Sequence, residues 1–384
     1  IEVISLATTA VASFPLRYIV NEAVEYDPDL FIFYTGNNEF FGAYGTSSIN
    51  AAGILPQGIL PLVRCAYGSA IVQAVSSLNT KTGADVTLME EMIGQAVIEA
   101  DASERIKAVE NLENNLIEMA SVVKEKGIPA LICATAGNEA GLYPLGEPDW
   151  NGLPDNRKIY VSEIIKQAED ILKTDPEDAE YKLKKLLKEV PFHSGVYYLL
   201  AKAQFSLGKK KDAAENFRKA VKYDTMPWRP IPEMEKAAKR AAKKTSSIYC
   251  NIAEEFRKIS SEGAAGSEFL DDHVHLSVRG QAEAARNMLK AIAGKTIKIL
   301  PDTSGIYSLK SNEYYAEKLG HNIYDDYRVY HTMRVLFGIP FMKKTNPAKF
   351  AEFDSLVNNI ETMVTPGIRE IMHQWQTAVP HAGG

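Results

Sequence analysis

The 384-residue sequence predicts an α/β protein built on a parallel sheet. Three short apolar runs carry this prediction, at residues 30–34, 128–134 and 248–252, and the segments between them contain apolar residues at helical spacing. An apolar run without alternation is typical of a strand buried on both faces of a parallel sheet. A further stretch, residues 155–224, has helical periodicity alone, which predicts an inserted helical unit.

Composition is that of an ordinary globular protein, with 24% charged and 46% hydrophobic residues. The net charge of -6 gives no reason to expect a nucleic-acid partner. Cys65, Cys133 and Cys250 have neither metal-ligand spacing nor a disulfide pattern, so we expect no metal or cofactor. The best candidate for a membrane span, residues 54–75, is interrupted by two prolines and an arginine, so no span is predicted.

The first part of the chain predicts a βαβ unit. Residues 1–7 have the pattern of a short strand, and a helix is predicted over about residues 15–26. Pro28 ends that helix, because the residue before a proline disfavours the helical conformation. Residues 30–34 then form the next strand.

Polar residues follow two of the predicted strands. Ligands of open α/β sheets bind just past the carboxyl ends of the strands, so these residues are candidates for a cleft. An amide side chain there can donate hydrogen bonds to a ligand. A turn is the competing interpretation, because Gly and Asn dominate turns for conformational reasons alone. The candidates are Gly36, Asn37, Asn38, Glu39 and Asn138.

A second motif, Phe-Leu-Asp-Asp-His-Val-His-Leu-Ser, covers residues 269–277. Asp272 and His275 lie three residues apart at the entrance to a predicted helix. A carboxylate beside an imidazole fixes its tautomer and stabilises its charged form, as a catalytic base requires. Taken alone, Asp-x-x-His also fits a helix cap.

Together the two motifs resemble blocks III (Gly-x-Asn-Asp/Glu) and V (Asp-x-x-His) of the SGNH, or GDSL, hydrolases. More narrowly, the chain is similar to the SGNH-type proteins that carry tetratricopeptide (TPR) helices in mid-chain. The resemblance covers roughly the first three quarters of the sequence. It implies a three-layer α/β/α flavodoxin-like parallel sheet with an inserted α-helical TPR-like unit and a helical C-terminal extension.

The resemblance divides the chain into four segments. The first part of the SGNH core with a cap region covers residues 1–154, the TPR-like insert 155–226, the second part of the core 227–294, and the C-terminal extension 295–384. The cap is predicted to contain helices at about 62–78 and 86–100, and the extension helices at 312–319, 324–336, 348–363 and 368–376.

The insert matches TPR positions over one and a half to two repeats. Stable arrays usually need about three repeats, so we expect the insert to be stabilised by packing against the main domain or a partner. The matching residues are Leu200, Ala201, Leu207, Gly208, Ala213, Phe217 and Ala220, with Tyr197 as the early aromatic and Pro227 after the repeat.

The resemblance implies ester chemistry by a serine mechanism. His275 is the expected general base and Asp272 the residue that orients it. His273 lies nearer to Asp272 in sequence but does not match the motif, so we expect its replacement by alanine to leave much of the activity. The groups expected to hold the oxyanion are Asn38, Ala7 and Gly36; Ala7 occupies the block II position that is usually glycine.

The nucleophilic serine of the family belongs to block I, which we expect upstream of Ile1 because the chain begins inside a predicted strand and not with Met. In the family's strand order 2-1-3-4-5, its absence leaves an unfilled slot between residues 1–6 and 30–34. Unpaired backbone groups along two buried edges would be very costly.

Two other functions stay open. O-acyl transfer to a sugar uses the same residues and excludes water. A non-catalytic SGNH/TPR scaffold is favoured by Ala7 in place of Gly and by Glu39 where Asp is commoner. The expected ligand is an ester-bearing small molecule, glycan or lipid, with a protein partner on the TPR-like helices. The resemblance favours an extracytoplasmic location, because the related proteins often carry an upstream membrane anchor.

Overall fold

The fold is described from a computed structural model, which covers residues 2–8, 10–48, 97–150, 152–293, 305 and 308–378. The chain is a mixed α/β protein, and these residues form a three-stranded parallel sheet in the order β1-β2-β3. The helix predicted over about 62–78 and most of the one predicted over 86–100 lie outside the described residues.

The sheet joins three segments that are distant in sequence. Its strands are β1 (Phe31–Tyr34), β2 (Ala130–Ala134) and β3 (Ile248–Asn251). Phe31 pairs with Ala130 in the first ladder, and β2 forms a second parallel ladder with β3. Each strand lies where an apolar run predicts it. Every residue of β2 is buried, because this strand lies at the centre of the three.

Helices make up most of the remaining described chain. In chain order they are α1 (Ser13–Ala23, followed by a 3-10 turn at Val24–Tyr26), α2 (Ser103–Glu125), α3 (Asp155–Ile171), α4 (Pro176–Leu186), α5 (Ser194–Ser206), α6 (Lys210–Tyr223), α7 (Pro232–Thr245), α8 (Ile252–Ile259), α9 (Val278–Ile292), α10 (Asn312–Lys318), α11 (Ile323–Gly338), α12 (Pro340–Thr345), α13 (Pro347–Met363) and α14 (Pro366–Ala378).

Helices pack on both faces of the sheet. On one face Phe33 and Ile132 share a core with Leu112 of α2 and Met234 of α7. On the other face Cys133 and Cys250, neighbours across β2 and β3, pack with Phe256 of α8 and Ile292 of α9. Because the three strands are parallel, their carboxyl ends lie at one edge of the sheet. The loops that carry the candidate residues begin at this edge.

The strand predicted at residues 1–7 is wrong for the described residues 2–8. These residues have no regular structure and are exposed, with Val3 87% and Ile4 71% accessible. Within the described part of the chain, β1 pairs only with β2, so residues 2–8 have no strand beside them. An apolar pattern supplies the propensity for a strand, but a strand is stable only with a hydrogen-bonded neighbour.

The predicted burial of β1 on both faces is also wrong. Phe31 and Phe33 are buried, whereas Ile32 on the opposite face is 46% exposed. The helices on that face, α8 and α9, contact β2 and β3 at the far side of the sheet.

The helices α3–α6, which lie between β2 and β3 in the sequence, pack against one another. Gly208, with φ of 74°, forms the turn between α5 and α6, a left-handed conformation that favours glycine. Ala213 and Phe217 of α6 are fully buried with Ala201 of α5. Tyr198 of α5 donates a hydrogen bond to the carbonyl of Ala140 at 2.8 Å, which ties these helices to the loop after β2.

The C-terminal helices join the main core. The four predicted helices are present as α10, α11, α13 and α14, and α12 lies between two of them. Phe337, Met342 and Phe353 belong to the same buried cluster as Phe33 of β1. Of the helices in the described ranges, none combines the length and the apolar character that crossing a membrane would require.

Candidate functional site

The site is built around the loop at residues 269–277, which backbone hydrogen bonds close into a compact turn. The amide of Ser277 donates to the carbonyl of Phe269 at 2.9 Å, and the amide of Asp271 donates to the carbonyl of His275 at 2.9 Å. Ser277 also caps α9, since its hydroxyl accepts from the amide of Gly280 at 3.2 Å. The start of α9 therefore fixes one end of the loop.

Asp272 and His275 are brought together as the motif predicts. Oδ2 of Asp272 lies 2.6 Å from Nδ1 of His275. Oδ1 of Asp272 accepts the backbone N–H groups of Val274 at 2.8 Å and His275 at 2.7 Å. The carboxylate is 1% exposed, whereas the side chain of His275 is 71% exposed. A buried, fully bonded carboxylate thus holds an accessible imidazole.

The electrostatics of this pair favour a charged carboxylate. Burial by itself would raise the pKa of Asp272, but His273, His275 and the hydrogen bonds hold that pKa well below its ordinary value. The charge of Asp272 and its hydrogen bond raise the pKa of His275. Because Nδ1 faces the carboxylate, the proton of neutral His275 lies there and the lone pair of Nε2 is free to accept one. Within the described ranges no group is hydrogen-bonded to Nε2.

His273 also lies at the site, although the motif leaves it out. Its Nδ1 is 3.4 Å from Oδ2 of Asp272 and its side chain is 7% exposed. The ring meets Trp228 edge-on at a centroid distance of 5.6 Å, and Trp228 stacks on Phe41 at 4.8 Å. These rings link the loop after β1 to the Asp-x-x-His loop. Nothing in the sequence around Trp228 signalled this contact, because it is made between segments far apart in the chain.

Gly36, two residues after the end of β1, has a backbone conformation that favours glycine. Its φ of 125° is favourable only for glycine, and a Cβ would lie 3.1 Å from Cδ2 of Leu112. Asn37 follows with a buried Oδ1 that has no hydrogen-bond partner. The carbonyl of Asn38 accepts from Gly42 at 2.9 Å, and its side-chain amide has no hydrogen bond among the described residues. Within the part of the chain that the structure describes, both asparagine side chains are therefore uncommitted.

Glu39 is buried and bonded to the start of α1, and its place in a substrate pocket stays a prediction. It is 3% exposed, and its two oxygens accept the amide of Ser13 at 2.8 Å and the hydroxyl of Ser13 at 2.9 Å. Asn115 donates to the same hydroxyl at 2.9 Å. Burial raises the pKa of Glu39 to about 7, despite the bonds from Ser13. Glu39 points toward α1 because a carboxylate satisfies the free N–H groups at a helix start.

The structure does not bring Ala7 to the site. Ala7 is exposed, and its amide donates to the hydroxyl of Ser5 at 3.4 Å. The segment after it does reach the loop after β1, since the amide of Ala43 donates to the carbonyl of Ala10 at 2.7 Å. The oxyanion role implied for Ala7 therefore stays a prediction.

The side chain of Asn138 is hydrogen-bonded within the fold, and its role as a substrate ligand stays a prediction. It is 1% exposed. Its side-chain NH₂ donates to the carbonyl of Asp272 at 2.9 Å, and its side-chain oxygen accepts from Gly141 at 2.8 Å. Its backbone amide donates to the carbonyl of His273 at 2.9 Å. The carboxyl end of β2 thereby holds the Asp-x-x-His loop in place.

A buried ion network supports the same loop from behind. Arg257 of α8 donates to Glu139 at 2.6 Å and is also paired with Glu235 of α7. Glu139 in turn accepts from the amide of Ala265 at 3.3 Å, just before the loop. The sequence showed the Asn-Glu pair at 138–139 as polar residues after a strand. It gave no indication that Arg257 pairs with Glu139.

The C-terminal helices bring charges to the edge of the site. Burial and the neighbouring charge of Asp272 raise the pKa of Asp271 to about 6. Lys349 of α13 and Asp326 of α11 act on Asp271 in opposite directions, the lysine lowering and the aspartate raising that pKa. Sequence patterns did not indicate that these helices approach the site.

No cluster of three or more metal-ligating side chains occurs in the described part of the chain. Comparison with protein-family models, with curated proteins and with solved structures found no match for this chain. The geometry of the site is thus the basis for a functional proposal.

Proposed function

We propose that the protein is an SGNH-type serine esterase in which His275 is the general base. The observation that carries this proposal is the 2.6 Å contact between Nδ1 of His275 and Oδ2 of the buried Asp272. A carboxylate in this position selects the tautomer in which Nε2 accepts a proton, and it stabilises the imidazolium that results. The exposure of the ring makes Nε2 accessible to a substrate complex.

The reaction proceeds in two acyl transfers. Nε2 of His275 takes the proton of a serine hydroxyl as the serine oxygen bonds to the ester carbonyl carbon. The tetrahedral oxyanion accepts hydrogen bonds from the side-chain amide of Asn38. The C–O bond to the alcohol then breaks, and the alcohol leaves with the proton from His275. Water repeats the sequence on the acyl-serine. Among the described residues no serine is hydrogen-bonded to His275, so the identity of the nucleophile is part of the proposal.

A fluorophosphonate probe, which reacts with activated serines, tests this function in the protein expressed from its complete gene. We expect labelling of the wild type and hydrolysis of short acyl esters. His275→Ala should lower both rates by about 10³-fold or more, because the serine then lacks its base.

His373→Ala is the matched control for that experiment. His373 is also an imidazole within reach of a carboxylate, with Nε2 3.1 Å from Glu361, but it lies on α14. This variant should keep wild-type rates. Equal rates in His275→Ala and wild type, or no labelling of a folded wild type, would overturn the esterase proposal.

A non-catalytic interaction protein is the second candidate. It is favoured by large apolar side chains on α3 and α4 that remain exposed, namely Ile159 at 62%, Tyr160 at 37% and Tyr181 at 67%. If α3–α6 are TPR-like, a protein partner would cover such residues. Wild-type protein that is folded, unlabelled by the probe and inert toward acyl esters would support this candidate.

O-acyl transfer differs from hydrolysis only in the second acyl acceptor. A glycan acceptor added to the esterase assay would divert acyl groups from water, so that acylated glycan appears as free acid decreases. No described contact distinguishes a sugar acceptor from water, so this reaction stays an alternative within the esterase proposal.

A further inference from the structure

We propose that His273 is a positioning residue that acts on His275 by sharing the carboxylate of Asp272. The effect on catalysis rests on the proposed esterase function, whereas the sharing itself does not. The Asp-x-x-His motif assigns no role to the residue between Asp272 and Val274, so the proposal revises the expectation that His273 is dispensable.

The two imidazoles approach the same oxygen. Nδ1 of His275 lies 2.6 Å from Oδ2 of Asp272, and Nδ1 of His273 lies 3.4 Å from it. Nδ1 of His273 is buried and makes no hydrogen bond in the described structure, so its 3.4 Å contact with Oδ2 is electrostatic. A lone pair on that nitrogen would be repelled by the carboxylate, so neutral His273 carries its proton on Nδ1. Oδ2 therefore faces two N–H groups.

The ring of His273 is held in this position by packing. It stands edge-on to Trp228 at 5.6 Å with an interplanar angle of 87° and edge-on to His275 at 6.0 Å with 88°. Its carbonyl accepts the amide of Asn138 at 2.9 Å. Side chain and backbone are thus both fixed, and the ring remains directed at Asp272.

A second N–H near Oδ2 changes how strongly the carboxylate acts on His275. The negative charge of Asp272 is divided between two donors, so it stabilises the His275 imidazolium less than it would alone. The other charged groups around His275 are Asp271 on the same loop, with Asp326 of α11 and Lys349 of α13 beyond it. A substitution at His273 leaves these groups unchanged, so it isolates the effect of the shared carboxylate on the pKa of His275.

Two substitutions separate the N–H from the packing. His273→Phe keeps an aromatic ring against Trp228 and removes the donor. His273→Asn loses the ring but places an amide NH₂ near the position of Nδ1. NMR titration of the His275 ring in each folded variant measures its pKa directly and requires no activity. We expect His273→Phe to raise that pKa by about 0.5 pH unit or more, and His273→Asn to stay within about 0.2 pH unit of wild type.

An unchanged titration in His273→Phe would overturn the proposal. Equal shifts in the two variants would also overturn it, because the presence of a donor near Oδ2 would then make no difference to the pKa of His275. If His273→Phe does not fold, His273→Gln serves in its place, since its amide reaches toward the Nε2 position and leaves Oδ2 with one donor. The acid limb of ester hydrolysis should move to higher pH in His273→Phe and in His273→Gln, and stay near that of wild type in His273→Asn. A shifted titration without any hydrolysis would reject the esterase function while supporting the shared carboxylate.

Discussion

At the scale of single residues, Asp272 is the group on which the site depends. It is buried, yet four N–H groups approach its two oxygens, from the rings of His273 and His275 and from the amides of Val274 and His275. Charge-assisted contacts of this kind stabilise a carboxylate strongly enough to offset burial. Asp272 therefore stays charged at pH values where an ordinary carboxyl group would be protonated, and it keeps His275 oriented there.

The pH dependence of ester hydrolysis follows from this pair. His275 is active as a base only when neutral, and Asp272 raises its pKa. Activity should therefore fall as the pH drops through a value above 6.5, the ordinary value for histidine. Asp272→Asn removes the charge, so the acid limb should move to lower pH while kcat falls by about 10⁴-fold. A pH-rate profile of both proteins measures this, and an acid limb at the same pH in both would contradict it.

Glu39 gives a prediction about stability. Its pKa rises from 4.5 to about 7 in the folded protein. Between these values the native state holds a proton that the unfolded chain has lost, so the free energy of unfolding falls as the pH rises through this window. The free energy of unfolding of Glu39→Gln does not fall in this way. Relative to that of wild type, it should rise by up to about 3 kcal/mol between pH 4 and pH 8.

Urea unfolding at several pH values measures the gain. Glu110→Gln, at an exposed position of α2, controls for the general loss of a carboxylate. If the difference between Glu39→Gln and wild type is the same at pH 4 and pH 8, folding does not raise the pKa of Glu39.

At the scale of elements, local patterns identified the strands, most of the helices and the Asp-x-x-His turn. Each of these depends on residues within a few positions of one another, so periodicity and spacing suffice. Residues 2–8 show the limit of such patterns, because a strand also needs a neighbour. Glu39 and Asn138 show it at the site, since each lies at a strand end as predicted but is bonded to a distant segment, Ser13 or Asp272. Only the assembled chain decides which polar groups remain free.

The turn after β1 gives a prediction at this scale. Gly36 has φ of 125°, and an added Cβ would be 3.1 Å from Leu112. Gly127 has φ of 72° with open space around it. Gly36→Ala should lower the free energy of unfolding by about 2–3 kcal/mol through strain and crowding. Gly127→Ala should lower it by about 1 kcal/mol through strain alone. Denaturant unfolding compares the two, and equal costs would mean that the turn relaxes freely.

At the scale of the whole molecule, buried ion pairs connect segments that are remote in sequence. Arg257 joins α8 to Glu139 after β2 and to Glu235 of α7, and all three side chains are nearly or fully buried. A second pair, Arg229 and Asp224 at 2.7 Å, connects the end of α6 to the loop after β2. The arginines thus fix how α3–α7 attach to the sheet.

Removing Arg257 should be far more costly than removing a surface cation. Arg257→Met leaves two carboxylates buried without the cation that they share, which typically costs about 3–5 kcal/mol. Lys258→Ala breaks an exposed pair with Glu255 and should leave the free energy of unfolding nearly unchanged. Urea unfolding measures both variants. A similar small loss in each would show that water reaches Glu139 once the arginine is gone.

Asn346, between α12 and α13, is bonded to the loop after β2. Its side-chain oxygen accepts the amide of Tyr143 at 2.8 Å, and its NH₂ donates to the carbonyl of Tyr143 at 3.3 Å, across 203 residues of chain. During synthesis, β2 and its loop leave the ribosome long before Asn346 does. We expect α3–α6, whose contacts are local, to fold early. The loop beside the Asp-x-x-His turn would remain incomplete until α12 is made, so a nascent chain cut short before Asn346 would present chaperones with an unfinished core.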